Sequence, residues 1–145
     1  MKDVKKDFTV DGVKYPLVFN LNVMQRIQEE YGSVELWGDY TDGTENGRKL
    51  YEEKNGAGSW DCLDEEEQLI HKGEPDAKSI IFGFGEMINE GIDMENEERG
   101  ETRPFLSIRQ VGRLVTNYGL ENATEKLSET VIESQKVEGF DSKNE

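Results

Sequence analysis

Residues 13–33 read VKYPLVFNLNVMQRIQEEYGS, an extended run that turns directly into a helix. Upstream, Phe8–Val10 is followed by Asp11-Gly12 and then Val13–Tyr15. Asp-Gly between two alternating apolar runs supplies the positive φ angles of a two-residue turn, so the N-terminus reads as a β-hairpin. Pro16 has no N–H for a ladder, which places the second strand at an edge or ends it there; Leu17–Phe19 continues the extended run. Downstream, Asn22 reads as a helix cap with Gln25 as its reciprocal partner. Val23, Met24, Ile27 and Tyr31 then form one apolar stripe, and Gly32 stops the helix.

The same grammar recurs later. Pro75-Asp76 opens a helix carrying Ile80, Ile81, Phe84, Met87 and Ile88 and ending near Gly91. Gly83 and Gly85 within it each cost about 1 kcal/mol relative to Ala and suggest either close approach of another backbone or a weak point in the helix. Ser107 and Gln110 open a helix with Ile108, Val111, Leu114 and Val115 inward, closed by Gly119. Asn122 and Glu125 open another, with Ala123, Leu127 and Val131 on one face. An acidic loop, 95–102, separates the middle helix from the next.

Between these elements the chain changes character. Residues 38–75 hold only Leu50, Leu63, Leu69 and Ile70 among the large aliphatic and Phe types, against twelve in residues 1–37. This segment also carries a net charge of −7, as do residues 76–145, whereas 1–37 carry −1. Residues 43–73 are therefore expected to be a flexible insertion with a short helix over 64–72, and 137–145 a frayed tail. The expected architecture is α+β: one domain over 1–145, a small N-terminal hairpin packed with about four helices, and an irregular insertion.

The 145 residues carry a formal net charge of −15. A nucleic-acid backbone requires clustered Lys and Arg to displace counterions, and an anionic membrane requires the same. Neither is expected as a partner. Cys62 is the only cysteine, so no intramolecular disulfide can form. MKDVKKDFTV has no apolar segment behind its basic residues, and no apolar run nears the roughly 20 residues of a membrane span. A cytoplasmic location is expected.

Candidate chemistry is sparse. Asp42–Glu53 matches a calcium-loop template at Asn46, Gly47 and Glu53, but Thr44 and Lys49 depart from it. Gly83-Phe84-Gly85 lacks the third glycine of a dinucleotide fingerprint and lies in a helical pattern. Cys62 and His71 lie in the least structured stretch, whereas catalysis needs groups held by packing. Carboxylate runs such as Asp64–Glu67 read as solvated, and Asn122-Ala123-Thr124 as a helix start. No catalytic residue, metal site or cofactor is expected. Trp37, Tyr40, Tyr51 and Trp60 read either as anchors for a partner or as pins holding the insertion down. Phe82, Phe84 and Met87 on the middle helix are candidate partner contacts, with core packing the competing reading.

The blocks YPLVFNLNVMQRIQEEYGS with WGDYTDG, EPDAKSIIFGFGEMINEGIDMEN, RPFLSIRQVGRLV and GLENATEKLSETVIES, in that order, resemble the small tail assembly chaperones of long-tailed phages and prophages of Gram-positive bacteria. The likeness covers about 1–42 and 74–136. It departs at 43–73, where the family runs almost directly from TDG to EPD. The resemblance implies a virion-assembly factor of the host cytoplasm, absent from the finished particle. Such a factor binds the tape measure protein, keeps it soluble and helps recruit tail tube subunits, with self-association a further possibility. The competing expectation is an acidic DNA mimic that inhibits a host nuclease or restriction enzyme.

Overall fold

A computed structural model describes residues 4–136; the tail expected over 137–145 lies outside the described residues. Two antiparallel strands, β1 (Val4–Val10) and β2 (Val13–Phe19), form the sheet. Seven α-helices follow among the described residues: α1 (Leu21–Tyr31), α2 (Val34–Thr41), α3 (Thr44–Asn55), α4 (Glu65–Ile70), α5 (Ala77–Arg99), α6 (Ile108–Tyr118) and α7 (Leu120–Ser134), with a 3-10 turn at Ser59–Cys62. The fold class is α+β, with more helix than the four elements expected.

The hairpin forms as its turn residues dictate. Asp11 and Gly12 have φ of 51° and 79°, the mirror-image turn that matches strand twist. Val10 faces Val13, and the register runs through Phe8–Tyr15 and Asp7–Pro16 to Val4–Phe19. Pairs alternate between hydrogen-bonded and non-bonded from the turn outward. Pro16 therefore falls at a non-bonded position, where its missing N–H costs nothing, and β2 continues past it.

The chain divides into two compact units. One comprises Met1–Arg26 with Ile81–Glu145, the other Ile27–Ile80. In the first unit, Val4, Phe8, Leu17, Val18, Phe19, Phe84, Met87, Ile88, Ile92, Val111 and Leu127 are buried. Phe8 meets Phe84 edge-on at 5.6 Å and Tyr118 at 4.9 Å, joining strand to α5 and α6.

α5 does not end near Gly91. It runs through that residue and through most of the acidic stretch expected to be a loop, stopping at Gly100, whose φ is +66°. Gly91 instead marks close packing: a Cβ there would lie 2.7 Å from Pro16 Cβ and 3.3 Å from Val18 Cγ2. Asp76 caps α5 by accepting from the Ser79 amide at 3.0 Å.

Two other starts also shift. Asn20, not Asn22, caps α1, accepting from the Val23 amide at 3.2 Å. Its amide nitrogen donates to Glu90 at 2.8 Å, a partner 70 residues away that fixes the cap. α7 begins at Leu120 with Gly119 as its cap residue, and Asn122 donates to the Tyr118 carbonyl instead. The Ser107–Gln110 capping box forms as read, with bonds of 3.2 and 2.7 Å. Ile108, expected inward, is exposed because the buried face of α6 is Val111, Leu114 and Val115.

The second unit contains the segment expected to be irregular, and it is helical. Its apolar content is low because small, aromatic and charged residues make the contacts. The 71–74 backbone crosses the first turns of α3 so closely that a Cβ on Gly47 would lie 2.3 Å from the His71 carbonyl oxygen. The Gly73 amide donates to the Gly43 carbonyl at 2.9 Å, and Asn46 donates to the Glu74 carbonyl at 2.8 Å.

Candidate functional site

Six of the side chains singled out as partner contacts separate into two groups. Trp37, Trp60, Phe84 and Met87 are buried, at 3, 5, 0 and 0% exposure, and are corrected from contact residues to core. An indole needs an acceptor when it leaves water, and Trp37 Nε1 donates to the Ser79 carbonyl at 3.0 Å. Trp60 packs edge-on against Tyr51 at 6.0 Å. Tyr40 and Phe82 are half-buried. The Tyr40 ring lies 5.7 Å from Tyr31 and has Lys49 Nζ 5.1 Å from its centroid. The two tryptophans are thus pins within their own unit.

The electrostatic centre of the second unit is Arg48. Its guanidinium donates to both carboxylate oxygens of Glu45, through Nε at 2.9 Å and through Nη2, and through Nη1 to Glu52 at 2.9 Å. Glu52 accepts the Trp60 amide at 3.3 Å, so one cation ties the 3-10 turn to α3. The hydrogen bond from Arg48 holds the Glu45 carboxyl below its ordinary pKa. Asp39 is shifted the other way: burial, followed by the charges of Asp42, Glu35 and Glu45, raises its pKa.

The template residues of the calcium-loop reading lie along α3 and its entry rather than around a loop. Glu45 is committed to Arg48, and the Gly47 Cα faces the crossing backbone. Cys62 is exposed and its Sγ lies 3.9 Å from the Gly58 carbonyl, while His71 packs on the Tyr51 ring at 4.8 Å.

The surface feature that sequence reasoning missed lies on the first unit. A groove of about 310 Å³ runs between the hairpin turn and α6, lined by Val10, Val13, Tyr15, Leu106, Arg113 and Leu114 among others. Gln110, Arg113 and Asn117 line it from α6, and Asn117 donates to Asp11 at 3.4 Å. Val13 is 45% exposed beside it. A signal for this surface exists in the sequence: from Thr102 to Leu120 there is no Asp or Glu. On the second unit, a hollow of about 290 Å³ is lined by Leu50, Tyr51, Lys54 and His71 among others.

Comparison with known proteins finds no matching family model, no matching curated protein and no matching solved structure.

Proposed function

We propose that this chain is a phage tail assembly chaperone, which binds the tape measure protein, keeps it soluble and helps recruit tail tube subunits. It acts in the host cytoplasm and leaves before the particle is complete. The observation that carries this reading is the combination of a formal net charge of −15 with large apolar side chains left at the surface. Leu21, Ile70, Phe105, Ile108 and Ile132 are all more than half exposed. An apolar helical client is covered by such side chains, while the net charge keeps the complex dispersed. No helix of the described residues is long and apolar enough to cross a membrane.

The DNA-mimic alternative draws on the row Glu121, Glu125, Glu129 and Glu133 along α7, spaced about 6 Å apart by helix geometry. Lys126 pairs with Glu129 at 3.9 Å and Lys6 with Glu133 at 2.6 Å. Half of the row is therefore neutralised within the chain, which favours the chaperone.

The test is co-expression with a tape measure protein from the same phage or prophage. The expected result is a soluble tape measure protein only when this chain is present, in a complex that survives 0.5 M salt. A tape measure protein equally soluble alone overturns the reading. A salt-labile complex with a basic nuclease, which charge-only association would give, turns it toward the mimic.

A further inference from the structure

The sign of the charge reverses at the groove between the hairpin turn and α6. Arg103, Arg109 and Arg113 fall in the acid-free stretch 102–120 of a chain that otherwise holds 32 Asp and Glu. Arg103 is committed to the Lys14 carbonyl at 3.2 Å and to the Tyr15 ring, 5.3 Å from its centroid. Lys14 pairs with Asp7 at 3.3 Å. Asp11, the acid on the groove wall, is held by Asn117. Arg109 and Arg113 take no hydrogen bond, ion pair or ring contact with any described residue, and both are exposed on α6. Elsewhere the described cations mostly meet carboxylates, as Lys5, Arg26, Arg48, Lys72 and Lys78 do. Two guanidiniums left without an anion in so acidic a molecule, one of them lining a groove of mixed polar and apolar side chains and the other one helical turn before it on α6, form a surface of definite chemistry.

We propose that this groove docks an amphipathic helical segment of another polypeptide. Apolar side chains of that segment lie against Val13 and Leu106, and its carboxylates lie beside Arg109 and Arg113. The lining run of α6 from Gln110 to Asn117 rises about 10 Å, two turns of helix, the length over which a docked helix presents its i, i+3 or i+4, and i+7 side chains. Arginine suits the role because its planar fork accepts a carboxylate on two nitrogens. The occupant assigned is a different polypeptide: a second copy would bring a further −15 of net charge to the interface, and a dimer dispersed by the arginine substitutions is the outcome that would identify one. This assignment rests on the assembly-chaperone reading and gives that client a docking surface and a charge pattern.

The probes are two synthetic helical peptides with the same Leu ridge, one flanked by Glu and one by Lys. Binding to the full chain is read by fluorescence anisotropy and by amide chemical-shift changes. The expected result is preferential binding of the Glu-flanked peptide, with shifts concentrated at 10–15 and 106–117. Arg109→Glu with Arg113→Glu weakens that peptide by about tenfold or more and improves the Lys-flanked one. Lys54→Glu, on the other unit, leaves both unchanged. Equal binding of the two peptides, shifts centred on Leu50 and Ile70, or a dimer dispersed by the arginine substitutions each overturn the proposal. Repeating the co-expression with the double variant separates the two readings. If wild type and variant both solubilise the tape measure protein, the groove assignment fails and the chaperone reading stands. If neither solubilises it while the peptide preference holds, the reverse is true.

Discussion

At the scale of single residues, the glycines show best how packing overrides propensity. Replacing Gly by Ala inside a helix stabilises it by about 1 kcal/mol when the new methyl meets nothing. Gly38, in α2, has no heavy atom within 4 Å of the added Cβ, and Gly38→Ala is expected to stabilise by about that amount. Gly47 sits in α3 with equally ordinary backbone, yet its Cβ would lie 2.3 Å from a carbonyl oxygen and 2.7 Å from the Gly73 amide nitrogen. The crossing backbone cannot swing aside as a side-chain tip would. Overpacking costs about 1–3 kcal/mol and outweighs the propensity gain, so Gly47→Ala is expected to destabilise by about 2 kcal/mol net. Gly91→Ala drives a methyl into the Pro16 ring and is expected to cost about 1 kcal/mol net. Urea denaturation of the three variants checks the order: Gly38→Ala above wild type, the other two below. The contrast also explains why Gly91 misleads a reader of the sequence. Gly at a helix end and Gly under a crossing chain look alike until the crossing chain is known.

At the scale of elements, what the sequence reveals depends on how local the deciding interaction is. The Asp11-Gly12 turn, the Ser107–Gln110 box and the stops at Gly32 and Gly119 are settled within four residues, and each was legible. The start of α1 was not, because FNLN offers two asparagines and a contact to Glu90 decides between them. Asn20→Ala removes a cap and a bond to a carboxylate together and is expected to cost about 2 kcal/mol. Asn22→Ala removes only an exposed 3.1 Å bond to the same Glu90 and is expected to cost well under about 1 kcal/mol. Equal losses in urea melts would return the cap to Asn22. Within 43–73 the short helix over 64–72 is legible and forms as α4, whereas α3 is not, because it is held by Gly43, Gly47, Arg48 and Trp60 and not by a stripe of Leu, Ile, Val or Phe. Of the two readings the candidate contacts allowed, burial selects the core for Trp37, Trp60, Phe84 and Met87 and decides nothing for the half-buried Tyr40 and Phe82. The groove was hidden by averaging, since the charge of 76–145 is −7 although 102–120 within it holds only arginines.

At the scale of the molecule, acid is both the dispersing agent and a source of strain. A charge of −15 repels itself in the compact state. Most of the ion pairs among the described residues have at least one exposed partner, and such pairs are worth only about 0–1 kcal/mol each. Shortening the Debye length from about 30 to 8 Å therefore relieves more repulsion than it removes attraction. The melting temperature is expected to rise between 0.01 and 0.15 M salt; a fall would mean that the pairs dominate. Protons act more selectively. Asp39 has a raised pKa in the folded state, so the folded state takes up a proton there first, and stability increases as pH falls through that folded value. Glu45 has a lowered pKa, so its contribution is complete above the unfolded glutamate value and is lost as pH falls through the folded one. Descending from neutrality, the second unit should first gain and then lose stability. Asp39→Asn removes the gain by supplying at neutral pH the uncharged side chain that the proton would have made, and so raises stability at pH 7. Glu45→Gln leaves Arg48 with a weaker partner, lowers stability at pH 7 and flattens the acid limb. Thermal melts of the three proteins across pH 3–7 distinguish these effects. An Asp39→Asn protein that melts lower than wild type at pH 7 would show that the Asp39 carboxylate is stabilising as an anion, contrary to its setting among Glu35, Asp42 and Glu45.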